Sequence, residues 1–138
     1  MIPTFSYGPS PAARFTPGGY HSFEHRWAVR EAFELHERIG RDRIAERVAV
    51  QATRLKEGLA TVPSVTLVTP DDPDLSAGIV CCGVDGLDAY SAVVLLRQDG
   101  IVASVTPYEQ QYLRFGPSIV TTPEQMDRVV DAVRRLRP

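Results

Sequence analysis

The chain has 138 residues, of which 43% are hydrophobic and 23% charged, and its net charge is −2. That is the size and balance of one ordinary globular domain, with no electrostatic reason to expect a nucleic-acid partner or an anionic membrane. No apolar run approaches the roughly 18–20 residues needed to span a bilayer. The N-terminal MIPTFSYGPSP lacks the basic and apolar regions of a secretory signal. Residues 1–20 hold Pro3, Pro9, Pro11 and Pro17 together with Gly8, Gly18 and Gly19. Proline fixes φ and removes a donor, and glycine adds freedom, so an extended interdomain or interface segment is expected there.

From residue 21 the pattern changes, and residues 21–138 are expected to form the domain proper. Phe23, Trp27, Ala32 and Phe33 recur at helical spacing and predict a first helix over 22–38, stopped at Gly40. The stripe Ile44, Val48, Ala52, Leu55 and Leu59 predicts a second helix over 42–59, ended by Pro63. Val65 and Leu67 then alternate with polar residues, 71-DDPDLSAG-78 reads as turn, and 79-IVCCGV-84 reads as a strand. A third helix is expected over 88–97, closed by Asp99-Gly100. Strands follow over 101–105 and 112–116, joined by 106-TPYEQQ-111. Thr122-Pro123-Glu124-Gln125 is a capping box with proline at N1. The stripe Met126, Val129, Val130, Val133 and Leu136 continues it as the last helix. The order predicts an α+β fold, with a small, largely antiparallel sheet of about four strands covered on one face by helices.

Several residues invite chemical readings. In 21-HSFEH-25, two histidines four apart with a glutamate before the second match the inverted zincin pattern. A zinc hydrolase would need a third ligand, such as Glu109 or Glu124. The same stretch also reads as polar residues on a helix's first turn. Arg114 is expected to share a strand face with Tyr112, opposite Leu113 and Phe115. It is either a surface cation or a bidentate clamp for a carboxylate. Cys81 and Cys82 are adjacent, and neighbours in a strand point to opposite faces, so a disulfide between them is not expected. This suggests a reducing, cytoplasmic setting. Asp71, Asp72 and Asp74 around Pro73 read as a turn, too short an array for calcium. There are 14 arginines and one lysine, Lys56. With Arg54 and Glu57 beside it, Lys56 is expected on the solvated side of its helix, a poor candidate for covalent cofactor attachment.

Four stretches carry a family resemblance: PGGYHSFEHRWAVREAFELHERIG, SAGIV…VDGLD, GIVASVTPY and YLRFGPSIVTTPEQMDRVVDAV. Together they resemble the C-terminal part of class V aminotransferase-like enzymes. These are fold-type-I proteins using pyridoxal 5′-phosphate (PLP), and they include cysteine desulfurases, C–S lyases and isopenicillin-N-epimerase-like proteins. The resemblance runs from about residue 14 to the C-terminus but covers only the last third of such an enzyme. It implies that Arg114 binds the α-carboxylate of an amino acid substrate. It implies a phosphate-facing turn at Gly19-Tyr20, where Tyr20 stands in place of the family's usual threonine, so that Tyr20, His21 or Ser22 contacts the cofactor phosphate. It makes HSFEH the start of a helix crossing from the large domain to the small one. It places the PLP lysine and the residues around the cofactor ring on a large domain that this sequence does not contain. The expectation is therefore a small-domain fragment, or one subunit of a split, hetero-oligomeric enzyme, inactive by itself and sharing PLP with a large-domain partner chain. Met1 and the N-terminal tail favour the split enzyme. A non-catalytic α+β binding or regulatory domain is the alternative from a different class.

Overall fold

A computed structural model describes residues 23–137 of the chain. These fall into two compact units that divide between Arg38 and Ile39. In the first, α1 (Phe23–Trp27) is followed after Ala28 by α2, which runs from Val29 to Ile39 at the boundary. The sequence predicts one helix here. The Ala28 amide still bonds the Glu24 carbonyl at 2.9 Å, and the Ala28 carbonyl accepts from Ala32 at 3.2 Å. The helical ladder thus continues through a single irregular residue. An exposed Arg30–Glu34 pair at 2.7 Å, spaced i,i+4, adds a few tenths of a kcal/mol.

The second unit opens at Gly40, whose φ of 96° suits glycine and turns the chain into α3, Arg41–Ala60. Then come β1 (Val65–Leu67), β2 (Val80–Val84), α4 (Ala89–Gln98), β3 (Ser104–Val105), β4 (Leu113–Phe115) and α5 (Pro123–Arg135). The four strands form one antiparallel sheet in the order β1-β2-β4-β3. The predicted helix starts hold. Asp88 caps α4 by accepting from the amides of Tyr90 and Ser91. At α5, the Thr122 amide donates to Gln125 Oε1 at 2.9 Å, and the Gln125 amide donates to Thr122 Oγ1 at 3.3 Å.

Alternation along the strands divides the sheet into two faces. Val80, Cys82 and Val84 of β2 and Leu113 and Phe115 of β4 are buried. They pack with Leu55 and Leu59 of α3, Leu96 of α4, and Val130 and Val133 of α5. Contact between α3 and α5 is close. A Cβ added at Gly58 would lie 2.6 Å from Val130 Cγ2. At the same junction Arg54 grips both carboxylate oxygens of Asp127 at 2.8 and 2.7 Å. The guanidinium holds the Asp127 carboxyl below its ordinary value.

Two expectations are corrected. Lys56 is not solvated; it is 4% exposed. Its Nζ donates to the carbonyls of Pro70 and Asp71 at 2.9 and 3.2 Å and to Ser76 Oγ at 3.1 Å. The turn after β1 folds back over α3 and gives the ammonium three oxygens in place of water. The strand predicted over 101–105 is only two residues long. The Ile101 amide bonds the Leu96 carbonyl at 3.0 Å, closing α4 through Gly100 at φ 73°, and so is not available to the sheet.

Candidate functional site

The opposite face of the sheet carries no helix of this unit. Register places Thr66 of β1 beside Gly83 of β2. One row further along, Cys81 of β2, Arg114 of β4 and Ser104 of β3 stand side by side. Such cross-strand neighbours on one face have Cβ atoms roughly 4.5–5.5 Å apart. Arg114 is therefore central to this row, and its side chain is part-buried. Its Nε donates to Ser104 Oγ at 2.9 Å. Among the described residues its Nη groups meet no acceptor. Two residues along from the row, a Cβ added at Gly83 of β2 or at Gly116 after β4 would meet nothing within 4 Å.

The hairpin that brings Ser104 to Arg114 is closed by Thr106, which is 4% exposed. Its amide donates to the Tyr112 carbonyl at 3.0 Å, and its Oγ1 accepts from the Tyr112 amide at 2.9 Å. This pair fixes the register that follows, Val105 opposite Leu113 and Ser104 opposite Arg114. The loop 106–111 therefore hangs at the end of the sheet next to the Arg114 row. Ser104 was not singled out in the sequence; the signal was the hairpin itself, since closure at Thr106 and Tyr112 pairs 104 with 114.

The two cysteines separate as expected. Cys81 is partly exposed beside Arg114, and Cys82 is buried under the sheet. Burial, with Cys81 adding to it, pushes the Cys82 thiol up to about 12.

Tyr20, His21 and Ser22 lie outside the described residues. His25 lies in α1. No group of three or more metal-ligating side chains forms among the described residues. No helix among them is long and apolar enough to cross a membrane. A hollow of about 330 Å³ lies between the end of β4 and α5, walled by Phe115, Gly116, Met126 and Val129. Arg114 lines neither it nor a smaller hollow of about 190 Å³ beside the start of α4.

A four-stranded antiparallel sheet, open on one face and backed by helices on the other, is the architecture of the fold-type-I small domain. Solved structures agree. The cystine C–S lyase C-DES, in complex with its reaction product cysteine persulfide, superimposes with a TM-score of 0.69 at 22% identity, over 78% of this chain and 28% of that one. Cysteine desulfurase from Thermococcus onnurineus NA1 gives 0.66 at 20%, over 71% of this chain and 27% of that one. A second C-DES structure has glycine covalently linked to its PLP cofactor. Residues 11–107 match the aminotransferase class V family, and the chain belongs to it. A curated relative, isopenicillin N epimerase of Streptomyces clavuligerus, is 30% identical over 114 residues. That alignment takes in 79% of this chain and 28% of the epimerase, so the chain spans little more than a quarter of its relative's length. Tyr20, His21 and Ser22 fall inside the family match, and Arg114 falls beyond its end.

Proposed function

We propose that the chain is the small-domain part of a PLP-dependent class V enzyme acting on an α-amino acid, completed by a large domain on a partner chain. The observation that carries this reading is Arg114, on the sheet face that carries no helix of this unit, whose Nη groups have no acceptor among the described residues. Guanidinium matches carboxylate in geometry and charge, and two parallel bonds would fix both the position and the orientation of a substrate. Positioning of that kind lowers a barrier by several kcal/mol when the reacting groups are already in line.

The described residues fit the substrate side of such a site and do not fit covalent attachment of PLP. The only lysine uses its three N–H bonds on Pro70, Asp71 and Ser76 inside the fold. Tyr20, His21 and Ser22 are proposed to reach the cofactor phosphate from the turn before α1. The enzyme is proposed to be hetero-oligomeric, and two unpaired cysteines support a cytoplasmic location.

The test is to express the chain with and without a class V large-domain chain. With the partner, the two should co-purify with bound PLP, and Arg114→Ala should raise KM for the amino acid. Alone, incubation with PLP and borohydride should leave Lys56 without a pyridoxyl label. A chain that turns over an amino acid unaided, or an Arg114→Ala complex with unchanged kinetics, overturns the reading.

A further inference from the structure

Guanidinium offers a carboxylate two edges for paired hydrogen bonds. One is the side, Nε with one Nη; the other is the end, Nη1 with Nη2. At Arg114 the side edge is already engaged, because Nε donates to Ser104 Oγ at 2.9 Å. The neighbour across β2 is Cys81, whose sulfur is at best a weak acceptor. The end edge therefore remains, with no acceptor on it among the described residues. Ser104 is itself held. It sits two residues from the Thr106–Tyr112 closure that sets the hairpin register.

We infer that Ser104 is a positioning residue for carboxylate capture: by occupying Nε it fixes the guanidinium so that a carboxylate is received end-on by the two Nη groups. The inference rests on Arg114 being the carboxylate clamp. An arginine side chain has many rotamers, and a hydroxyl on the adjacent strand selects one of them before the ligand arrives. It also sets the direction of approach. The carboxylate comes along the axis of the arginine side chain instead of flanking it, so Ser104 helps decide where the rest of the substrate lies.

Cys81 provides the reporter, with no cofactor or partner required. Iodoacetate carries a carboxylate and iodoacetamide does not; both lose iodide to the same thiolate. In the native chain the label should map to Cys81, since Cys82 is buried with its thiol pushed up to about 12. The ratio of the iodoacetate to the iodoacetamide rate should exceed that of free cysteine in the same buffer. Arg114→Gln should return it to the free-cysteine value. Ser104→Val, nearly isosteric with Ser104→Thr but lacking the hydroxyl, should lower the ratio about two- to tenfold, the size expected when the ligand must itself order one rotamer-rich side chain. Ser104→Thr should keep it, and the iodoacetamide rate should be alike in both variants. If Ser104→Val and Ser104→Thr behave the same while Arg114→Gln collapses the ratio, Ser104 has no positioning role and the clamp survives. If the wild-type ratio equals that of free cysteine, or Arg114→Gln leaves it unchanged, the clamp itself fails.

Discussion

Cys81 and Cys82 are covalent neighbours on opposite faces of one sheet, and their surroundings share almost nothing. Cys82 has Val80, Val84, Leu113 and the helices around it, and its thiol resists ionisation. Cys81 has Arg114 across the strand and open space over Gly83. The period of two in a strand divides the sheet: one face holds the fold together, and the other carries no helix of this unit. Substitutions on the two faces should therefore fail in different assays.

The sharpest contrast is between adjacent residues of β4. Leu113→Ala, at 1% exposure, should cost about 2–5 kcal/mol in urea unfolding. Arg114→Gln loses one part-buried hydrogen bond and should cost about 1 kcal/mol or less. Equal losses would mean that the open face is part of the core.

A similar contrast exists between glycines. Gly58→Ala drives a methyl against Val130, and such overpacking costs about 1–3 kcal/mol against about 1 kcal/mol returned by helix propensity. A double-mutant cycle with Val130→Ala should give a coupling of about 0.5–3 kcal/mol. Gly83→Ala on the open face should stay within about 0.5 kcal/mol. A destabilising Gly83→Ala would show that something already covers that face.

The last contrast is a slope in pH. The Cys82 thiol rises from an ordinary 9.0 to about 12 on folding, so its share of stability is complete below pH 9. It is lost as pH climbs from 9 towards 12, because the unfolded thiol releases its proton first, by roughly 1.4 kcal/mol per pH unit. Urea unfolding on either side of pH 9 should show wild type losing stability faster than Cys82→Ala. A constant gap between the two would mean that Cys82 is not desolvated.

Features governed by local chemistry were legible in the sequence. The Thr122–Gln125 capping box, the stripe of α5 and the opposed sides of β4 follow from spacing alone. Features set by distant chain were not. Lys56 looks solvated beside Arg54 and Glu57, because nothing local says that residues 70–76 will fold over it. Strand β3 looks longer than it is, because the Ile101 amide is claimed by the end of α4. At the candidate site, Arg114 was singled out by its place in the alternating strand 112–116 and by the family resemblance, whereas Ser104 gained meaning only from the register that a hairpin imposes.

The buried position of Lys56 has a practical side. The chain's sole side-chain amine is shielded in the native fold, so dyes, crosslinkers and conjugating enzymes that attack lysine have no target on its surface. A tag placed there would report unfolding of the 70–76 turn instead of marking the native molecule.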